Sequence, residues 1–306
     1  MSNIVTERYH NFCEHYMYKT LKEHTFYVVD NGQPFIGRDL PENAKIISWN
    51  DINWDEIDVG YAVSIERFNS VRAKGKPCVF HIDQVPQSWD NTKELNRILD
   101  GAPCLYWSDE EAEMWNCGTP IVRPHPIDTE IFNGYNPSKE MAITVATRAF
   151  SGWGPDLKGY GILKDAYNRV PIQVIAKGDK DFGNSKSIET EEKMIKILRD
   201  HQVYFNCAWK LDRSPLEAIG VGLPVVAIRT KYNVYKKYFN EEKGNIVYAN
   251  DMLDMVEKTK KLLSDKSLAK EIGLIGQDTI KNYWKPEQSA EGWNKAFKMA
   301  IESYVK

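Results

Sequence analysis

Apolar residues in this chain come in short runs, separated by longer stretches in which they recur at every third or fourth position. The runs NIVT (3–6), TFYVV (25–29), KIISW (45–49), VGYAVS (59–64), PCVFHI (77–82) and PCLYWS (103–108) predict strands. A second series follows, AITVAT (142–147), IQVIAK (172–177), QVYFN (202–206), LPVVAI (223–228) and NIVYA (245–249). Between them, helical spacing predicts helices over 8–23, 90–100, 109–116, 157–169, 187–200, 251–265 and 266–283, with a last amphipathic helix over 285–305. Strands that alternate with helices imply the α/β class, with parallel sheets and crossover helices. Two such series predict two doubly wound units. Their seam falls in 123–140, a stretch rich in Pro, Asn and Gly with little periodicity. No internal repeat of short period and no low-complexity tract interrupts the pattern.

Composition agrees with that plan and removes some functions. A chain of 306 residues exceeds the size at which one core keeps growing. Its 42% apolar and 27% charged residues are those of an ordinary globular protein, and a net charge of −3 supplies no global basic field for nucleic acid or anionic lipid. The five cysteines are odd in number and form no C-x-x-C pair, as expected of reduced, buried thiols. No apolar run approaches the roughly 18 residues of a membrane span. The start, MSNIVTERYHNF, lacks the plan of a signal peptide, so the expectation is a cytoplasmic protein.

Ligands of such sheets bind outside the carboxyl ends of the strands. That rule selects His81 and Asp83, Arg148, Gly178 and Asp179, and the segment 207–217. In RSPLEAIGVGLPVVAI (213–228), Ser214 suits an N-cap, Pro215 the first helical position, and Glu217 the third, which together predict a capping box. The helix is short, closes at Gly220 or Gly222, and directs its N-terminus at the sheet edge, where its N–H groups favour an anion. Glu217 can cap with one carboxylate oxygen and meet a ligand with the other.

In ITVATRAFSGWGPDLKGYGILKDAYNRV (143–170), Arg148 follows a strand, and Lys158-Gly159 opens a helix after a glycine-containing loop. Two cations at the mouth of a crossover suit a diphosphate; the alternative is a solvated pair. In VFHIDQVPQSW (79–89), His81 ends an apolar run, while Asp83 and Gln84 suit hydroxyl groups or a turn. DKD (179–181) matches a metal-binding string, but its place after a strand fits a turn or a base contact better. Trp89, Trp107, Trp153 and Trp209 fit a core or a sugar face.

Taken together, these segments resemble retaining glycosyltransferases of the GT-B fold, most closely glycosyltransferase family 4. VATRAF followed by DLKGYGILKDAY is similar to that family's Arg and Lys-Gly segment. RSPLEAIGVGLPVVA resembles its donor-binding helix, RPHPIDTEIFNG its interdomain stretch, and NVYKKYFNEEKGNIVYANDMLDMVEKTKKLLSD its ending. KPCVFHIDQ resembles the N-domain strand that ends in a His near the donor sugar. The match is good over roughly 103–283.

The resemblance implies two Rossmann-like domains facing a central cleft. Residues 1–125 would be the acceptor domain, completed by a helix over 285–306, and 126–284 the donor domain. It implies a hexosyltransferase-type enzyme with a nucleotide-sugar donor and an unidentified acceptor, acting with retention and without metal or other cofactor. Arg148 and Lys158 would hold the diphosphate. The backbone of Ser214, Pro215 and Leu216 would meet the phosphates, Gly178 and Asp179 would flank the nucleotide, and Glu217 would bind the ribose. His81 would contact the sugar, and Asp83 and Gln84 the acceptor. Two features depart from the family: Trp209 stands where its first motif glutamate would be, with Asp212 the nearest acid, and NIVTERYHNF has no glycine. The missing first acid motivates one other reading, an inactive nucleotide-sugar-binding protein, and the compact N-terminal domain permits another, a nucleic-acid-modifying glycosyltransferase of viral type.

Overall fold

The computed structural model describes residues 1–7, 13–30, 39–82, 92–145, 159–175 and 190–304. The chain divides into two compact units, Met1–Pro126 with Pro286–Lys306, and Ile127–Lys285.

The first unit is built on seven parallel strands: β1 (Asn3–Glu7), β2 (Thr25–Val29), β3 (Ala44–Ile47), β4 (Val59–Ala62), β5 (Cys78–His81), β6 (Pro103–Tyr106) and β7 (Thr119–Val122). Their order is β3-β2-β1-β4-β5-β6-β7, which reverses between β1 and β4. Helices α1 (Cys13–Thr20), α2 (Ile65–Ala73), α3 (Thr92–Leu99) and α4 (Asp109–Trp115) connect them. Successive strand residues point to opposite faces, and both faces are buried, so the strands read as continuous apolar runs. Ile4, Val28, Val59, Val79 and Leu105 pack with Trp293 and Phe297 of the last helix, α10 (Pro286–Tyr304). On the other face Val5, Val29, Ala62 and Phe80 pack with Phe68 of α2, Leu95 of α3 and Trp115 of α4.

The second unit has five parallel strands, β8 (Lys139–Val145), β9 (Ile172–Ile175), β10 (His201–Asn206), β11 (Val225–Ile228) and β12 (Val247–Ala249), in the order β12-β11-β10-β8-β9. Its helices are α5 (Tyr160–Tyr167), α6 (Glu191–Asp200), α7 (Arg213–Val221), α8 (Met252–Ser264) and α9 (Lys266–Tyr283). The order reverses between β8 and β10, which puts this unit's crevice at the carboxyl ends of those two strands.

Two elements were not indicated by the pattern. β7 contains Pro120 and buries only Ile121, as suits an edge strand, so it carries no apolar run. α2 buries only Phe68 and Val71 and has a weak apolar face. Its start shortens the predicted strand 59–64, because Ser64 leaves the sheet to cap α2 by accepting from Arg67 N–H at 3.2 Å.

Cys78, Cys104, Cys117 and Cys207 are buried, free thiols, and burial pushes the first three above the ordinary thiol range. Among the described residues, no helix is long and apolar enough to cross a membrane.

His201, at the start of β10, is fully buried, with Nδ1 2.7 Å from the Ile197 carbonyl and Nε2 2.9 Å from Gln173 Oε1. Burial lowers its pKa below the ordinary 6.5; the Ile197 carbonyl and Asp200 oppose that, and Lys139 adds to it. The unfolded chain therefore takes up this proton first. Stability from neutral His201 is complete above the unfolded value and is lost as pH falls through the folded one. Melting temperature is expected to drop on acidification below about pH 6.5, and His201→Gln is expected to reduce that slope in a pH series of thermal melts.

Candidate functional site

The crevice of the second unit is assembled around Tyr204, one of the fully buried residues of β10. Val145 N–H, at the end of β8, donates to the Tyr204 hydroxyl at 3.3 Å. Burial raises the phenol's pKa well beyond its ordinary value, so the hydroxyl stays protonated. One group thus ties the end of β8 to the middle of β10.

Gly159 closes the other side. It is the N-cap of α5 in the left-handed region, with φ +73°, and a Cβ there would lie 1.9 Å from the Cys207 carbonyl oxygen. Only glycine allows the chain to enter α5 directly over the end of β10.

The start of α7 differs from the predicted capping box. The N-cap is Asp212, with extended φ −80° and ψ −170°, and the first helical bond runs from Leu216 N–H to the Asp212 carbonyl at 3.4 Å. Ser214 is therefore the second helical residue. Glu217 is the fifth, a full turn beyond reach of the N-cap amide. Asp212 makes no capping hydrogen bond and instead pairs with Lys210 at 3.1 Å. Pro215 has no N–H and that of Leu216 is bonded, so the amides this turn can present to an anion are those of Arg213 and Ser214. The helix ends at Gly222, φ +104°, which resolves the choice between the two candidate glycines.

Glu217 is buried, with 6% of its surface accessible, and its Oε1 accepts from Arg213 Nε at 2.5 Å. Arg213 also approaches Glu191 at 3.9 Å. The carboxylate is held, oriented and neutralised by a residue one turn earlier. Ser214, Pro215, Leu216 and Glu217 are thus brought together at the crevice. Arg148, Lys158, Gly178 and Asp179 lie outside the described residues, the first two following β8 in the chain and the others β9.

In the first unit, His81 ends β5 and is 3% exposed. Its Nε2 lies 3.4 Å from Arg123 Nη2, and its Nδ1 lies 2.8 Å from the Tyr61 hydroxyl. A guanidinium only donates, so Nε2 accepts and Nδ1–H donates to Tyr61. His81 is neutral, and both of its ring nitrogens are engaged inside the unit. Its ring also meets Trp107 edge-on, and Trp107 stacks on His125 with centroids 3.5 Å apart.

Arg123 is wholly buried between the indoles of Trp107 and Trp293, 3.9 Å and 4.3 Å from their centroids. Its Nε and Nη1 find no hydrogen-bond partner among the described residues. The sequence signals only that Arg123 begins the seam; its contacts are His81 of β5, Trp107 just after β6 and Trp293 of α10, which have no local spacing. Asp83 and Gln84 lie outside the described residues. A depression of about 210 Å³ lined by Arg72, Pro77, Asp100 and Tyr304 lies at the amino ends of β5 and β6, the opposite end from these residues. Among the described residues, no three His, Cys, Asp or Glu side chains are grouped to hold a metal ion.

Comparison with known proteins agrees with the topology. Residues 153–294, just under half of the chain, match the family described as glycosyl transferase-like. No curated protein sequence matches the chain. Among solved structures, Anabaena HepE in complex with UDP and glucose is 13% identical and superposes with a TM-score of 0.74, covering 98% of this chain and 100% of that one. Sucrose-phosphate synthase from Thermosynechococcus elongatus is 11% identical, with a TM-score of 0.73, covering 99% and 100%. A glycosyltransferase from Rickettsia africae is 14% identical, with a TM-score of 0.71, covering 98% and 99%. The fold is the GT-B glycosyltransferase fold, two Rossmann-like units each built on a parallel sheet.

The Arg213–Glu217 pair is expected to be a buried ion pair whose halves depend on each other. Glu217→Ala is expected to cost about 1–3 kcal/mol by removing the guanidinium's nearest carboxylate, while Glu217→Gln, which keeps an acceptor, costs less. In urea unfolding, the double variant Arg213→Met/Glu217→Leu is expected to be less destabilised than the two single changes sum to; simple additivity would disprove the coupling.

Proposed function

We propose that this protein is a glycosyltransferase that moves a hexose from a nucleoside-diphosphate sugar, held by the second unit, to an acceptor held by the first. The observation that carries this reading is the crevice between β8 and β10, where Gly159, the start of α7 and a buried Glu217 converge at the point of strand reversal. The similarity to a protein crystallised with UDP and glucose makes uridine the first base to try.

In this reading Arg148 and Lys158 grip the diphosphate together with the α7 amides, Gly178 and Asp179 flank the nucleoside, and Glu217 accepts hydrogen bonds from the ribose. Negative charge grows on the leaving diphosphate as the glycosidic bond breaks. Cations and oriented N–H groups stabilise that charge without a metal ion. The sugar passes through an oxocarbenium-like state. For transfer with retention, the acceptor hydroxyl attacks from the leaving-group face and gives its proton to a departing phosphate oxygen. No pair of catalytic carboxylates is then required. His81, with both nitrogens engaged, contributes by shaping the edge beyond β5 rather than by proton transfer, and Asp83 and Gln84 are assigned to the acceptor.

A thermal-shift panel of UDP-, GDP-, ADP- and CMP-sugars tests the donor class. One nucleotide family is expected to raise the melting temperature, since a ligand that binds only the folded chain stabilises it; no shift with any of them would refute the reading. Arg148→Ala and Lys158→Ala are each expected to lower kcat by about 10²–10³-fold with the fold intact, and wild-type turnover in both would remove their role. Transfer is expected to persist in excess EDTA, and its loss with rescue by a divalent cation would assign the charge stabilisation to a metal instead.

A further inference from the structure

The first unit buries a positive charge to which no carboxylate is bonded among the described residues. Arg123 has none of its surface exposed. Its Nη2 lies 3.4 Å from the neutral His81, and its Nε and Nη1 have no hydrogen-bond partner among the described residues. An ion in a protein interior is costly unless it is paired and hydrogen-bonded. The indoles of Trp107 and Trp293, with centroids 3.9 Å and 4.3 Å from Cζ, offset part of that cost through their π faces. A π face is a weak acceptor, so the N–H groups remain unmet.

The unmet nitrogens of this cation and of its neighbour Trp293 are all donors. The Trp293 indole N–H is buried and likewise without a partner among the described residues. Guanidinium and indole nitrogens accept nothing. A water molecule there would accept from them, but its own two hydrogens would need acceptors and the charge would stay uncompensated. An acceptor that carries negative charge meets both needs.

The backbone around Arg123 is fixed from both sides. Arg123 N–H donates to the Tyr106 carbonyl at 2.8 Å, which anchors the residue to β6 as the chain leaves β7. The glycine at position 292 lets α10 close over the stem of the side chain, because a Cβ there would lie 2.7 Å from the Arg123 Cβ. The Ser289 hydroxyl holds the next residue through the Pro124 carbonyl. The guanidinium is therefore placed before any ligand arrives, so binding to it orders little. Enclosure sets the size of that ligand. A substrate group cannot reach a residue with no exposed surface, whereas a free ion of one or a few atoms enters during local opening.

We propose that Arg123 and the Trp293 indole N–H bind a small free monovalent anion, of the size of chloride, inside the first unit. The ion neutralises the buried guanidinium and takes the N–H groups that the chain leaves unmet. It makes His81 of β5, Arg123 beyond β7 and Trp293 of α10 one charge-balanced cluster. The site goes beyond the transferase reading and does not depend on it.

Thermal melts at constant ionic strength test it, with sodium gluconate, whose anion is too large for an enclosed site, replaced stepwise by sodium chloride. The wild type is expected to gain about 5–10 °C, saturating, as chloride reaches roughly a hundred times its dissociation constant. Trp293→Phe, which keeps the ring and removes its N–H, moves the midpoint to higher chloride. Arg123→Met, which keeps the bulk and removes the charge, abolishes the dependence. Crystals of the wild type grown in bromide locate the ion directly, with an anomalous peak expected in contact with the Arg123 guanidinium. A wild type that melts alike in gluconate and chloride overturns the proposal. So does a chloride dependence that survives Arg123→Met, or a bromide-grown crystal with no peak at Arg123. The wild-type melts and the crystals decide the matter even where a variant fails to fold. None of these outcomes bears on the nucleotide-sugar reading, which the panel of sugar nucleotides tests separately.

Discussion

The candidate donor site depends on how closely the chain can pass over the end of β10. Gly159 makes that pass against the Cys207 carbonyl, in a backbone conformation and at a distance that no side chain tolerates. Because the pass is tight, α5 starts directly above the strand end, and beneath it the Tyr204 hydroxyl accepts from Val145 N–H and ties β8 to β10. The strand order reverses at this same place, with α5 packed on α8 and α7 packed on α6 and α9. Reversal opens the crevice, and the close pass sets its width.

Charge in both units is placed under the opposite constraint, that a buried ion must be satisfied where it stands. The Glu217 carboxylate would be costly inside α7 by itself, and Arg213 one turn earlier relieves it. Arg123 is handled differently. Among the described residues no carboxylate is bonded to it, and two indole faces with one long contact to His81 surround its guanidinium. That arrangement locks His81 into one tautomer, and it joins β7 to the last helix through Trp293, reinforced by the Ser289 hydroxyl on the Pro124 carbonyl at 2.6 Å. The same cation therefore fixes the edge of the first sheet and the helix that returns to it.

Much of this was legible from residue order, and the limits have physical causes. Strands buried on both faces announce themselves as apolar runs, so all eleven predicted strands sit where the runs are; among the described residues only the edge strand β7, with one buried side chain, left no trace. Helix ends were read less well. Ser-Pro-Leu-Glu has the spacing of a capping box, but the helix starts two residues earlier at the Asp212 cap, and the Glu217 carboxylate that would close the box is taken by Arg213. Arg123 has no spacing that could reveal it, because its partners come from three separated elements.

The sequence by itself determined the class of fold, the doubling of the αβ pattern and the order of the strands' following loops, since periodicity and turn residues act over a few positions. It also placed Glu217 at a sheet edge. Only the tertiary structure decided which groups neutralise that glutamate, which nitrogen of His81 carries its proton, and that Trp209 meets Tyr232 across two strands. Those outcomes depend on contacts between residues far apart in the chain, and burial, which sets the cost of every unpaired polar group, exists only once the chain is folded.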